Sequence, residues 1–276
     1  MKNSAYILPE GNIQIAFSGG RSSGYMLHSI LEANGGLPDR AKVIFTNTGR
    51  EMPETLDFVQ ECASRWGVPI TWLEYIRVDG KVGYERVSHN SASRDGAPFK
   101  ALLDFKGYLP NAVARFCTAE LKVRTAKRFC VNELGWKHWG SAIGIRADEP
   151  RRLNGKPIKD RYYAWHPLAT AGAAKADVMR FWRAQDFDLK LFGKNGVTPC
   201  GNCDLCFLKS ESTLAAIIRD YPERAKWWID AEAQAAATFH KTRSFAGLKD
   251  FIAVQGDWIF NDEAYLCQVD GGECTG

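Results

Sequence analysis

Several things are scarce in this chain of 276 residues. No apolar run approaches the roughly 18 residues of a membrane span, so no transmembrane helix and no membrane partner is expected. The opening MKNSAYILPEGN has no basic segment followed by an apolar core, so it does not read as a secretory signal, and a cytoplasmic protein is expected. No internal repeat or low-complexity tract occurs. There are only five histidines, and the net charge is +4, too small a surplus to imply a nucleic-acid partner by itself. What the chain does have is eight cysteines, 45% hydrophobic residues and 25% charged residues. That balance describes a globular domain. Cysteines in a chain of this length and setting are not expected to form a disulfide framework.

The first part alternates strand-like and helix-like segments. Residues 12–17 (NIQIAF) read as a strand, and residues 22–33 carry Met26, Leu27, Ile30 and Leu31 at helical spacing. Residues 41–47 (AKVIFTN) form a second strand. Residues 53–66 form a helix opened by Pro53 and closed by Gly67, and residues 68–76 form a third strand. This order predicts a parallel sheet with helical crossovers. Residues 77–115 lose periodicity and read as a functional loop or a disordered stretch. Thr118 is expected to cap a helix running to Leu134, and residues 141–145 (SAIGI) form a fourth strand. Beyond Arg161 the expectation is helices over 175–185, 210–219 and 222–239. The fold class is therefore α/β, a parallel sheet flanked by helices. An α/β domain over residues 1–165 precedes a mainly helical region over 166–276.

Between the first strand and first helix stands Ser18-Gly19-Gly20-Arg21-Ser22-Ser23. Glycines allow a sharp turn with exposed N–H groups. The helix start adds partial positive charge and the serines add donors, a combination suited to phosphate or sulfate. A tight turn without a ligand is the alternative. Cys200, Cys203 and Cys206 form C-x2-C-x2-C, a spacing at which three thiolates converge on iron–sulfur or zinc. Cys62, Cys130 and Cys267 read as packing residues, as do Trp227 and Trp228.

These segments resemble the phosphoadenosine phosphosulfate (PAPS) reductase-like family of the adenine-nucleotide alpha hydrolase-like, or PP-loop, superfamily, in its phage and mobile-element form. SGG-x-x-S is similar to the PP-loop, and Asn47-Thr48-Gly49 with Met52-Pro53-Glu54-Thr55 to D-T-G-x-x-x-P-E-T. Cys117 with Lys122 is similar to C-C-x-x-x-K, Gly144-Ile145-Arg146 to G-x-R, and His166-Pro167-Leu168 to the following P-L stretch. Ser22 stands where ATP-splitting members carry aspartate, Asn47 replaces another aspartate, and Thr118 replaces the second cysteine of the pair.

The resemblance implies a Rossmann-like fold and a bound adenine nucleotide: adenosine phosphosulfate (APS), PAPS or ATP. Ser18, Gly19, Gly20, Arg21, Ser22 and Ser23 would hold its anion, Thr46, Asn47, Thr48 and Gly49 would lie near the adenosine, and Gly144, Arg146, Arg151 and Arg152 would complete the site. It makes Cys117 the fourth ligand of a 4Fe–4S cluster with Cys200, Cys203 and Cys206, zinc being the alternative, and sets Lys122 between cluster and anion. Lys122 and Arg146 are then catalytic, and Cys274 stands as nucleophile or as an idle terminal thiol. The implied reaction releases sulfite with a thioredoxin-like thiol donor. The alternatives are an ATP-dependent sulfurtransferase acting on nucleic acid and a non-catalytic nucleotide-binding protein.

Overall fold

Ile13 and Ile15 of β1 (Asn12–Ala16) have no exposed surface, because this strand lies inside a six-stranded sheet rather than at its rim. The computed structural model describes residues 4–153, 160–193, 198–241 and 243–255. The other strands are β2 (Ala41–Asn47), β3 (Ile70–Val78), β4 (Lys81–Val87), β5 (Trp139–Ala142) and β6 (Tyr162–Trp165), in the spatial order β4-β3-β2-β1-β5-β6. All neighbours run parallel except β3 and β4, an antiparallel hairpin. Chain order runs outward from β1 to β3 on one side and resumes at β5 on the other. The sheet therefore has a topological switch point between the carboxyl ends of β1 and β5, where such sheets bind ligands.

Helices α1 (Arg21–Asn34) and α2 (Pro53–Arg65) connect the first three strands as the apolar spacing predicts, and the parallel α/β expectation holds. The 77–115 stretch is more regular than its sequence suggests. Asp79 and Gly80, both at positive φ, make the tight turn between β3 and β4, and α3 (Ala97–Lys106) follows. Periodicity missed both for a physical reason. β4 is an edge strand with almost nothing buried, and α3 buries only Pro98, Phe99 and Leu102.

Thr118 does not cap a helix. Residues 116–117 are already helical, Thr118–Arg124 is π-helical, and α4 (Thr125–Asn132) continues it. In the widened turn the Thr125 hydroxyl donates to the Glu120 carbonyl at 2.8 Å. A π-helical segment is uncommon and concentrates at functional sites.

β6 was not expected, since residues 162–165 carry too short a pattern to stand out. α5 (Pro150–Leu153) and α6 (Pro167–Thr170) flank it, and α7 (Lys175–Arg183), α8 (Glu211–Asp220), α9 (Pro222–Ala235) and α10 (Phe245–Gln255) make the remainder helical. One buried core runs from Ile13 and Leu27 through Trp182 to Trp228 and Phe245. The α1–α7 contact is close: a Cβ on Gly24 would lie 2.6 Å from the Trp182 ring. Among the described residues no helix is long and apolar enough to cross a membrane.

Candidate functional site

The turn after β1 is held in shape by its own last residue. Ser23 is fully buried, and its hydroxyl donates to the Gly20 carbonyl at 2.9 Å. The same oxygen accepts from the Ser18 and Gly20 amides, each at 3.2 Å, and from the Ser18 hydroxyl at 3.0 Å. Gly19 sits at φ +77°, where L side chains are strained, and a Cβ there would lie 2.7 Å from Thr55 Cγ2. Gly19→Ala is therefore expected to cost about 1–3 kcal/mol and to displace the loop. Thermal melts would show the lowered midpoint, and a wild-type melt would count against this account of the turn.

Arg21 lines a cavity at the amino end of α1 together with its partners Leu189 and Thr198. Its guanidinium donates to Asp188 at 2.8–3.1 Å, to the Leu189 carbonyl at 2.7 Å and to Thr198 at 2.8 Å, tying α1 to the C-terminal part. Ser22 faces the switch point. There, Gly144 presses its backbone on the start of α1: a Cβ on it would lie 3.3 Å from the Ser23 Cα and nitrogen. Two residues on, Arg146 Nη1 donates to Ser22 Oγ at 3.1 Å. Its Nε donates to Asp148 at 2.9 Å, and Glu149 lies 3.5 Å from Nη1. Gly19, Gly20, Ser22, Arg146, Lys175 and Asn202 line one small cavity at the amino end of α1. Arg21 shares the lining, and helix-end amides with three cations make that cavity suited to an anion. Arg152 grips Glu149 at 2.5 Å, Arg151 is exposed on α5, and neither lines this cavity.

Ser18, the first residue of the turn, opens on a second cavity over the other side of the strand ends. Thr46, Lys122 and Lys127 share its wall with Phe17, Trp139 and Tyr162. Asn47, Thr48 and Gly49 do not reach it. The Asn47 amide donates to Glu74 at 2.6 Å and to the Ser93 carbonyl at 2.8 Å, and its oxygen accepts from Gly49 N–H. Burial pushes the Glu74 carboxyl above its usual pKa, opposed by that Asn47 bond. Thr48 donates through both its amide and its hydroxyl to Glu51, at 2.9 and 2.7 Å. These three residues shape the loop over β2, and only Thr46 of the expected group faces the cavity.

A third cavity, mostly apolar, is lined by Cys117, Cys203, Cys206, Lys122, Thr48 and Asn202. Cys203 Sγ lies 3.4 Å from Thr48 Oγ1. Burial, reinforced by Glu51 and opposed by Lys122, pushes its thiol up to about 12. Cys200 lies outside this cavity. The charges acting on its thiol are Lys209, Asp204, Asp220 and Glu54, and burial pushes it up to about 11. Among the described residues no three Cys, His, Asp or Glu side chains converge as metal ligands. The expected four-thiolate set for a 4Fe–4S cluster or zinc thus divides into three cysteines that share a wall and one that does not, and this arrangement does not fit the group. Cys274 and Cys267 lie outside the described residues. Cys62 and Cys130 are fully buried packing residues, as expected.

Residues that sequence reasoning passed over connect the parts. Lys122 stands in the walls of the second and third cavities, Asn202 in those of the first and third. Glu51 is buried, with Oε1 lacking a hydrogen bond and Lys122 Nζ 3.8 Å away. Asp204 anchors the cysteine loop by accepting from Arg50, Arg224 and Trp228. The only signals were a carboxylate after Thr-Gly and an Asn and Asp among the clustered cysteines, all ordinary residues in a sequence.

Residues 12–190 match the phosphoadenosine phosphosulfate reductase domain family. An uncharacterized nin region protein, ORF290, of Escherichia phage lambda is 31% identical over 212 residues, covering 75% of this chain and 69% of that protein. The crystal structure of a phosphoadenylyl-sulfate (PAPS) reductase from Candida auris, in a phosphate complex, covers 71% of this chain and 86% of its own, with a TM-score of 0.40 and 16% identity.

Proposed function

Because the chain belongs to the phosphoadenosine phosphosulfate reductase domain family, we propose that it binds an adenine nucleotide carrying sulfate, APS or PAPS, and releases sulfite from it. The observation that carries this reading is Arg146 seated on Ser22 at the amino end of α1, beside Lys175. The cations Arg21, Arg146 and Lys175, with helix-end amides, would hold a tetrahedral anion and stabilise charge that develops on the leaving phosphate. The Ser18, Thr46 and Lys122 wall would take the nucleoside.

In the proposed reaction the Cys274 thiolate attacks the sulfur. The sulfur–oxygen bond to the nucleotide phosphate breaks, and its electron pair leaves with the nucleotide. A thiol of a thioredoxin-like donor then attacks the Cys274 sulfur, forming a mixed disulfide and expelling sulfite. A second donor thiol resolves that disulfide. A 4Fe–4S cluster or zinc would need Cys200 to turn toward the other three cysteines, and no step depends on it. A thiol donor of this kind places the reaction in a reducing compartment such as the cytoplasm.

The test offers APS, PAPS and ATP to the purified protein with thioredoxin and its reductase. Sulfite formation from APS or PAPS, abolished in Cys274→Ala, is the expected result. Pyrophosphate from ATP that depends on added nucleic acid would replace the reading by a sulfurtransferase. Nucleotide binding without turnover would replace it by a binding protein.

A further inference from the structure

Two basic segments stand apart in the sequence, one around residues 122–128 and one around 146–161. The cavities described above use Lys122, Lys127 and Arg146. Of the others, Arg124, Arg128 and Arg161 gather elsewhere. Pairing of β6 with β5 carries Arg161, at the start of β6, alongside the helix that bears Arg124, Lys127 and Arg128. Together these four line an open cleft of about 360 Å³ floored by Val131 and Asn132. It is by volume far roomier than the anion cavity at α1.

The charge in this cleft is one-sided. Glu120 accepts from Arg124 at 2.6 Å and from Lys106 at 3.0 Å, and lies 3.7 Å from Arg128. Asp160 accepts from Lys127 at 2.5 Å, and its carboxyl also feels Arg161. Five cations thus share two carboxylates among the described residues. Arg128 Nη1 is buried and makes no hydrogen bond. Arg124 and Arg128 sit at Glu120 while Lys127 sits at Asp160, so the cations line the open cleft around two carboxylates rather than one. That arrangement matches a row of phosphates better than a single small anion. Lys127 belongs to both this cleft and the cavity of Trp139 and Tyr162, so a chain lying in the cleft passes the mouth of an aromatic-walled site.

We propose that Arg124, Lys127, Arg128 and Arg161 bind the phosphodiester backbone of a single-stranded nucleic acid. The proposal goes beyond the sulfonucleotide reading and needs no turnover at the nucleotide site. The phosphates would be held without base readout, so affinity would vary little with sequence and fall steeply with salt.

The experiment measures fluorescence anisotropy of a labelled oligothymidylate and of the matching duplex, titrated with full-length protein across a salt series. Arg124→Gln with Arg161→Glu alters the cleft at its exposed side chains. Arg219→Gln with Lys226→Glu makes the same net charge change on α8 and α9. Calorimetry with 3′,5′-adenosine bisphosphate runs in parallel on all three proteins, and thermal melts check folding. Expected are single-strand binding by the wild type, at least about tenfold weaker binding and a salt slope shallower by about one to two in the cleft variant, and near wild-type binding in the control variant. The bisphosphate should bind all three alike. Equal losses in the two variants would overturn the proposal as diffuse charge. It would also be overturned by absent binding at low salt, by a preference for duplex, or by a loss confined to the bisphosphate. That last result would assign the cleft to the nucleotide's own phosphate. Failure of the sulfite assay would leave all of these readouts intact.

Discussion

Arg146→Lys is expected to fold and to bind the adenine nucleotide at least about tenfold more weakly than the wild type, and Arg146→Ala to lose both binding and stability. The side chain is 4% exposed and makes three oriented contacts at once: Ser22 Oγ at 3.1 Å, Asp148 at 2.9 Å and Glu149 at 3.5 Å. A planar guanidinium serves three directions, and an ammonium on a flexible stem does not. Lysine keeps the charge that compensates Glu149, so the core survives while the geometry at Ser22 is lost. Charge-assisted hydrogen bonds of this kind contribute about 1.5–3 kcal/mol, which is about tenfold or more in affinity. Alanine in addition removes one of the partners of the buried Glu149, and breaking a buried pair costs about 3–5 kcal/mol. Calorimetry with the nucleotide, together with melts with and without it, separates the two effects. Wild-type affinity in Arg146→Lys would remove Arg146 from the anion site.

Asp204→Ala is expected to be the most destabilising single change in the cysteine loop, at about 3–5 kcal/mol. Asp204 has no exposed surface, and one carboxylate satisfies four donors. Arg50 donates to it, as do Arg224 Nε at 2.7 Å, Trp228 Nε1 at 2.7 Å and the Leu205 amide at 2.8 Å. Burial lowers the pKa of Arg50, and Asp204 is the main group opposing that shift. Removing the carboxylate leaves two guanidinium groups facing each other in a dry interior. The loop holding Cys203 and Cys206 would lose its tie to the Arg50 turn and to α9, and the third cavity would open. Asp204→Asn keeps the volume and one acceptor and should lose less. Denaturant unfolding of the two variants gives the order directly. A loss below about 1 kcal/mol in Asp204→Ala would mean that water replaces the carboxylate and the loop is held by other contacts.

The parallel core was legible because it is local and periodic. NIQIAF and AKVIFTN carry apolar, β-branched runs of strand length, and Pro53 to Arg65 buries one face. The glycine turn was legible for the same reason. Gly19 takes a conformation that few other residues adopt, so its chemistry and its position coincide. β4, α3 and the π-helical segment were not legible. The first two bury too little to leave a pattern, and the third is a hydrogen-bond shift that changes no composition.

The family motifs do not say which side chain points where. Asn47 and Thr48 match the motif and turn inward, while Lys175 and Asn202 lie outside it and line the cavity at the amino end of α1. Spacing alone made Cys200, Cys203 and Cys206 equivalent. The tertiary structure separated them, because the Asp204 anchor and the Thr48 contact hold Cys203 in the cavity wall it shares with Cys117 and Cys206, and Cys200 does not line that cavity.

By itself, then, the sequence determined the first strands and helices, the glycine turn and the family, all of which rest on neighbours in the chain. Only the folded chain decided which cations meet. Arg146 reaches Ser22 because β5 pairs with β1, and Arg161 joins Arg124 and Arg128 because β6 pairs with β5. Charges add by distance in space, and strand pairing, which no local pattern encodes, sets that distance.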